Sequence, residues 1–140
     1  MHGFGQLLAL QAIIALAAGF ISITFLQSGL DKLFDYKGNL AFMKEQFAKT
    51  FLNKMIVICL PVIMIGELIA GLYCVWGVIQ LFRQKGSGAI LYAFFLSGII
   101  LLMLLFGQRV SKQYAGAVSL TGYFIIVLIG MMMVVLLRNP

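Results

Sequence analysis

Glu67 is the residue with the clearest potential for chemistry, because it is the one charged residue in an apolar stretch from 55 to 82. In the hydrocarbon core of a bilayer a carboxylate is costly unless it is paired, hydrated or protonated. Glu67 could therefore act as a proton relay, bond to a ligand or contact a quinone headgroup. It could also be a protonated side chain that bonds to a facing helix and holds a bundle together. Small residues that would let a helix or a flat ligand come close form an adjoining stripe at Gly66, Ala70, Cys74 and Gly77.

Five further polar residues follow apolar stretches of the chain. Asp31, Lys32 and Asp35 come after the first stretch, and Gln108 and Arg109 come after the third. The first and third connections of a four-span bundle share one face, so Arg109 could pair with Asp31 or Asp35 there. These side chains could then line the mouth of a site around the buried carboxylate. The alternative is an interfacial charge network, with the arginine reaching towards lipid phosphate.

The chain has few residues that could hold a metal or a haem. His2 is its one histidine, and no group of His, Cys, Asp and Glu has the spacing of a metal site. Cys59 and Cys74 would lie about 22 Å apart on one helix, too far to form a disulfide bond. We therefore expect no metal and no intrinsic cofactor, although a quinone or a lipid could still be bound.

Four apolar stretches must position these polar residues. The chain has 140 residues, 63% of them hydrophobic, and a mean hydropathy of +1.09. Each stretch is long enough for the roughly 20 residues that a helix needs to cross about 30 Å of hydrocarbon. We therefore predict an all-α fold, a single transmembrane domain over 1–140 built as a four-helix bundle. The predicted helices cover about 7–26, 55–81, 89–106 and 117–137.

The long connection 27–54 has a periodic pattern of its own. Apolar residues recur there at spacings of three, four and four residues, at Leu40, Met43, Phe47 and Phe51. This pattern favours an amphipathic interfacial helix between helices 1 and 2, with Asn39 as its N-cap. A helix packed across the mouth of the bundle would have the same pattern.

The charge of the chain bears on its orientation and its partners. The net charge is +6, but the basic residues lie in short connections beside apolar helices, which favours contact with lipid over nucleic acid. The first and third connections hold seven lysines and arginines, and the opposite side holds three. This bias predicts that both connections are cytoplasmic and that both termini are outside. The first apolar stretch has no basic residue before it, so we expect a retained helix and not a signal peptide.

Three stretches of the sequence resemble the DoxX family of small four-helix bacterial membrane proteins. They are 25–34 (FLQSGLDKLF), 66–72 (GELIAGL), and 107–109 (GQR) together with 114–117 (YAGA). The resemblance extends over nearly the whole chain. It implies a multi-pass protein of the bacterial inner membrane, associated with quinone-linked and redox membrane complexes.

The sequence predicts an accessory subunit of such a complex, respiratory or quinone-linked, that is not an enzyme on its own. Its partners would be the bilayer and other membrane proteins, or further copies of itself. One alternative is a proton-coupled small-molecule transporter that uses Glu67. Another is a lipid- or quinone-modifying membrane enzyme that uses Glu67, Asp31 and Arg109. A wide pocket at Glu67 that opens to the bilayer would favour a ligand, and a bundle filled with side chains would favour a scaffold.

Overall fold

A computed structural model describes residues 3–139, and it contains four helices that are long and apolar enough to cross a membrane. A short helix and a 3-10 turn lie between the first and second of them. The helices are α1 (Phe4–Phe34), α2 (Tyr36–Gln46), α3 (Ile56–Phe82), α4 (Gly88–Val110) and α5 (Tyr114–Arg138), and the turn is Asn53–Met55. The structure therefore confirms the predicted all-α four-helix bundle of a multi-pass membrane protein.

The four long helices form a closed ring. α1 packs on α3 and α5, and α4 packs on the same two helices, so that α1 and α4 lie diagonally. Each helix is antiparallel to both neighbours, since the chain reverses direction at every connection. The 35–55 and 111–113 connections therefore lie at one end of the bundle, which we call the connection end. In lipid a helix satisfies its own backbone hydrogen bonds, so a ring of helices can span the bilayer.

The bundle has a small interior and an apolar exterior. Phe25, Phe94 and Val127 are fully buried at its centre. Large apolar side chains cover the outside, and Leu16, Ile23 and Val118 are each more than 70% exposed. Such a surface would be unfavourable in water, and lipid tails cover it in a membrane.

Three of the four long helices are longer than the sequence predicted, and α3 has the predicted length. α1 was expected to end near 26 but continues to Phe34. The polar residues after position 26 extend the helix because the side chains of Ser28 and Lys32 find hydrogen-bond partners inside the bundle. α4 likewise continues past 106 to Val110, and α5 begins at Tyr114.

The short helix between the first two spans begins and ends at other residues than the sequence predicted. α2 ends at Gln46, and turns replace the rest of the predicted periodic segment. The prediction of Asn39 as N-cap was wrong. Asp35 caps the helix, because its Oδ1 accepts a hydrogen bond from the Gly38 backbone N–H at 3.2 Å. Asn39 lies one turn later, where its Nδ2 donates to the Asp35 carbonyl at 2.8 Å.

α2 lies across the connection end of the bundle. It contacts α1 and α3, and Gln46 Nε2 donates a hydrogen bond to Ser111 Oγ just after α4 at 2.9 Å. Phe47, the residue after α2, is only 5% exposed. The short helix is thus tied to the bundle, while its location in the lipid headgroup region stays a prediction.

Candidate ligand-binding site

Glu67 is buried and fully partnered. Its side chain is 2% exposed, and its Oε2 lies 2.9 Å from Lys32 Nζ in an ion pair. Its Oε1 accepts a hydrogen bond from Ser28 Oγ at 3.1 Å. Lys32 Nζ also donates to Ser28 Oγ at 2.6 Å and to the Ser28 carbonyl at 3.3 Å. The three side chains form one hydrogen-bonded group, which we call the ion-pair cluster (Ser28, Lys32 and Glu67).

Helix geometry brings the cluster together. Ser28 and Lys32 are four residues apart on α1, so they project from one face towards α3. Two glycines let the helices approach closely on either side of Glu67. A Cβ atom on Gly29 would lie 2.8 Å from Leu68 Cδ2, and one on Gly71 would lie 2.7 Å from Leu26 Cγ. The close packing of α1 on α3 therefore holds the lysine within reach of the carboxylate.

The pairing explains how a carboxylate can lie inside the bundle. The positive charge of Lys32 and the negative charge of Glu67 cancel, and both carboxylate oxygens accept a hydrogen bond. A buried pair of this kind is tolerated while both partners are present, and removal of one partner leaves an unpaired buried charge. The cluster is therefore electrically neutral as a unit.

The ion-pair cluster forms part of the wall of a cavity of about 880 Å³ near the connection end. Small-molecule sites in proteins have volumes of roughly 300–1,000 Å³ and combine apolar walls with a few polar groups. The cavity lies between α1, α2, α3 and α4, with Leu120 of α5 at its edge, and most of its wall is aliphatic, Met and Phe side chains. Its polar lining residues are Ser28, Lys32, Asn39, Gln46, Glu67 and Gln108.

The cavity opens to the outer surface of the bundle between α3 and α4. Apolar side chains that line it are also about half exposed or more, and they belong to both helices. They are Ile58 and Val62 on α3, and Ile99, Leu102 and Phe106 on α4. Because this surface faces lipid in a membrane, a ligand dissolved in the bilayer could enter the cavity from the side.

Gln108 on α4 also lines the cavity. Its side-chain amide packs against α5, where Gly116 leaves room for it: a Cβ atom on Gly116 would lie 2.8 Å from Gln108 Oε1. That oxygen is buried and has no hydrogen-bond partner within residues 3–139.

Asp31, Asp35 and Arg109 do not line the cavity. All three side chains are exposed, and Arg109 lies over the ring of Tyr114 at 4.9 Å from its centroid. The expected pairing of Arg109 with Asp31 or Asp35 is not formed, since Lys32–Glu67 is the one ion pair among the described residues. Of the predicted site residues, the structure brings together Lys32, Glu67 and Gln108.

The pairing of Lys32 with Glu67 was not predicted from the sequence. The available signal was the four-residue spacing of Ser28 and Lys32, which could be recognised only if the first helix was extended past 26. Asn39, Gln46 and Cys59 were also missed as cavity residues. The fold of the short connecting helix over the end of the bundle brings the first two into the cavity wall.

Residues 3–139 contain no group of three or more His, Cys, Asp or Glu side chains that could hold a metal ion. No protein-family model matches the chain, and no curated protein or solved structure matches it either. The resemblance to the DoxX family therefore stays a prediction from the sequence motifs, and function has to be argued from the cavity.

Proposed function

We propose that this protein is an accessory subunit of a bacterial inner-membrane complex and that it binds a quinone-class ligand in the cavity. The observation that carries the proposal is the position of the buried ion-pair cluster on the wall of an apolar cavity that opens between α3 and α4. The apolar wall suits the ring and the tail of such a ligand. The polar side chains that line the cavity, among them Glu67 and Gln108, can contact the polar headgroup of such a ligand.

The cavity favours a ligand over a pure scaffold. It has a volume of about 880 Å³, opens between α3 and α4, and carries a buried ion pair on its wall. A scaffold has no need of a buried ion pair, whereas a ligand that enters from the bilayer would cover the apolar wall and contact the polar groups there.

The setting within a larger complex rests on the resemblance to DoxX proteins. One structural feature is consistent with it. α5 is the least buried of the four candidate spans. In its most apolar 18-residue window 17% is buried inside the bundle, against 33–39% in the corresponding windows of the other three spans. Its apolar outer face is available to lipid, to another membrane protein or to a second copy of the chain.

The proposal can be tested by native mass spectrometry after gentle extraction from the native membrane. The wild-type protein is expected to carry a bound molecule whose fragments identify a quinone. A Lys32→Met/Glu67→Met double variant keeps an apolar wall, leaves no unpaired charge and is expected to lose the bound molecule. Arg109→Gln, outside the cavity, is the matched control. An empty wild-type protein, a phospholipid alone, or equal occupancy in the double variant would overturn the assignment.

A proton-coupled transporter is the second candidate, and the position of Glu67 on the wall of an open cavity supports it. Glu67→Gln in proteoliposomes is then expected to abolish proton-coupled flux, and unchanged flux would remove this candidate.

The predicted membrane enzyme required Glu67, Asp31 and Arg109 to act at one site. Because the last two do not line the cavity, we do not carry that mechanism further.

A further inference from the structure

The cavity is lined by one ion pair and by uncharged side chains. Among the described residues that line it, Lys32 and Glu67 are the charged ones, and their side chains lie 2.9 Å apart. The remaining polar residues of the wall are a serine and three amides: Ser28, Asn39, Gln46 and Gln108. Hydroxyl and amide groups are neutral and can both donate and accept hydrogen bonds. The lining therefore has no net charge.

The outside of the same end of the bundle is highly charged. Apart from Lys32, the charged residues between 31 and 54 are all exposed, as are Arg109 and Lys112, and they do not line the cavity. α2 shows this separation most clearly, since its Asn39 and Gln46 line the cavity while its charged residues do not. A ligand inside the cavity thus meets the ion pair and neutral groups, whatever the charge on the surface.

The ammonium group of Lys32 has no hydrogen bond left for an incoming anion. A lysine ammonium has three N–H donors. Lys32 Nζ donates to the Ser28 carbonyl at 3.3 Å, to Ser28 Oγ at 2.6 Å and to Glu67 Oε2 at 2.9 Å. An anionic headgroup would therefore have to compete with Glu67 for the lysine. A cationic headgroup that approached Glu67 would lie close to the like charge of Lys32.

The charge of a ligand decides how well it fits such a site. Moving an ion out of water is strongly unfavourable unless an opposite charge compensates it. Lys32 and Glu67 already compensate each other. An uncharged headgroup leaves this pair intact, whereas an ionised headgroup would enter without a counter-charge.

We infer that the cavity selects uncharged headgroups over ionised headgroups of either sign, and that the Lys32–Glu67 pair sets this selection. The inference rests on the proposed function, since it concerns which ligands the same cavity accepts. A quinone is uncharged and meets the requirement. The phospholipids around the opening between α3 and α4 carry an ionised phosphate, so their headgroups are excluded from the ion-pair cluster. A neutral ligand that enters from the bilayer therefore meets little competition from lipid headgroups.

The test is a binding titration of the full-length protein in phosphatidylcholine nanodiscs, with ligand concentrations referred to the bilayer. The ligands share one decyl chain and differ in headgroup: a benzoquinone, a benzenesulfonamide, a benzenesulfonate and a trimethylanilinium. The sulfonamide and the sulfonate have nearly the same shape and differ by one charge. The wild-type protein is expected to bind the two uncharged compounds at least about tenfold more tightly than either ion.

Removal of one member of the pair is expected to change the preferred charge. In Glu67→Gln the ammonium of Lys32 loses its counter-charge, so the affinity for the sulfonate is expected to rise about tenfold relative to the sulfonamide. In Lys32→Met the carboxylate is left alone, and the trimethylanilinium is expected to gain by a similar factor. Asp31→Asn and Lys37→Met are the matched controls. They make equivalent charge changes at exposed positions outside the cavity and are expected to leave these ratios unchanged.

The outcomes separate the two proposals. A wild-type protein that binds the sulfonate as tightly as the sulfonamide would overturn the selection and leave quinone binding intact. A preference that neither Glu67→Gln nor Lys32→Met changes would overturn the role of the pair. Absence of benzoquinone binding would overturn the proposed function itself. The wild-type comparison needs no substitution, so it decides the selection even where a variant fails to fold.

Discussion

The Lys32–Glu67 pair is the least expected feature of the molecule at the scale of single residues. Two charges have been taken out of water, and the ion pair is 2.9 Å long with the carboxylate only 2% exposed. A buried pair of this kind is seldom a gain over apolar residues of similar volume. The pair is better explained by a task that needs a fixed carboxylate in the cavity wall than by a gain in stability.

A double-mutant cycle on this pair checks the structural claim. Lys32→Met leaves the carboxylate unpaired and is expected to lower the free energy of unfolding by about 3 kcal/mol. Glu67→Met is expected to have a similar effect. The double variant should recover at least about 1 kcal/mol of the combined loss. The measurement is unfolding in mixed detergent followed by circular dichroism, and strictly additive losses would show that the two side chains do not interact.

The site residues differ in how far the sequence could identify them. Glu67 stands out because a carboxylate inside an apolar run has no local explanation. Its partner could not be identified, because Lys32 meets it only through the packing of α1 on α3, at a separation of 35 residues. The same limit applies to Arg109, whose possible pairing with Asp31 or Asp35 is not formed among the described residues. Proximity at one end of a bundle does not determine which side chains meet.

Close contact between helices organises the molecule at the scale of its elements. Helix association in lipid depends on van der Waals packing, since lipid tails are as apolar as the side chains they replace. Gly77 on α3 shows this most clearly. A Cβ atom there would lie 2.6 Å from Ile90 Cα of α4, so the two backbones touch at the end of the bundle away from the cavity. Towards the connection end both helices line the cavity.

Gly77→Ala tests the importance of this contact. The added methyl group meets backbone atoms that cannot move aside, so we expect a loss of about 1–3 kcal/mol in the free energy of unfolding. Gly122→Ala is the matched control, because a Cβ atom at that helical position has nothing within 4 Å. Detergent unfolding of both variants gives the comparison, and an equal response from both would contradict the close packing described here.

The elements were predictable to different degrees. The four spans follow from long apolar runs with at most one charged residue each, which only a membrane helix explains. The ends of the helices were harder to predict. α1 continues through Ser28 and Lys32, whose side chains bind Glu67 on α3, and α4 continues through Gln108 and Arg109. α2 was expected from its apolar period, but its cap depends on the backbone at Asp35, which no periodicity reveals.

At the scale of the whole molecule, the basic residues are concentrated at one end of the bundle. Seven of the ten basic residues lie at the connection end, near the cavity: five precede α3, Arg109 is in the last turn of α4, and Lys112 follows α4. The positive-inside rule therefore predicts that this end is in the cytoplasm. A cysteine-labelling experiment on intact cells can check the orientation.

Lys112→Cys and Lys85→Cys are introduced separately into a Cys59→Ala/Cys74→Ala background. Lys112 lies at the connection end and Lys85 at the opposite end. A membrane-impermeant maleimide is expected to label the Lys85→Cys variant on intact cells and the Lys112→Cys variant only after permeabilisation. The reverse pattern would invert the topology and would move the polar end of the cavity outside.

The central claim is that the cavity binds a ligand at the ion-pair cluster, and Cys59 provides a direct reporter. This thiol lines the cavity and is partly exposed, whereas Cys74 is buried elsewhere and can be replaced by alanine. In the Cys74→Ala protein we measure the rate at which a membrane-soluble maleimide alkylates Cys59. A short-chain hydroquinone is added at a concentration that gives about ten bound protein molecules for each free one. It is therefore expected to slow the alkylation of Cys59 about tenfold. Adding Lys32→Met and Glu67→Met is expected to remove the protection. An alkylation rate that the hydroquinone leaves unchanged, in a protein shown to be folded, would contradict the account.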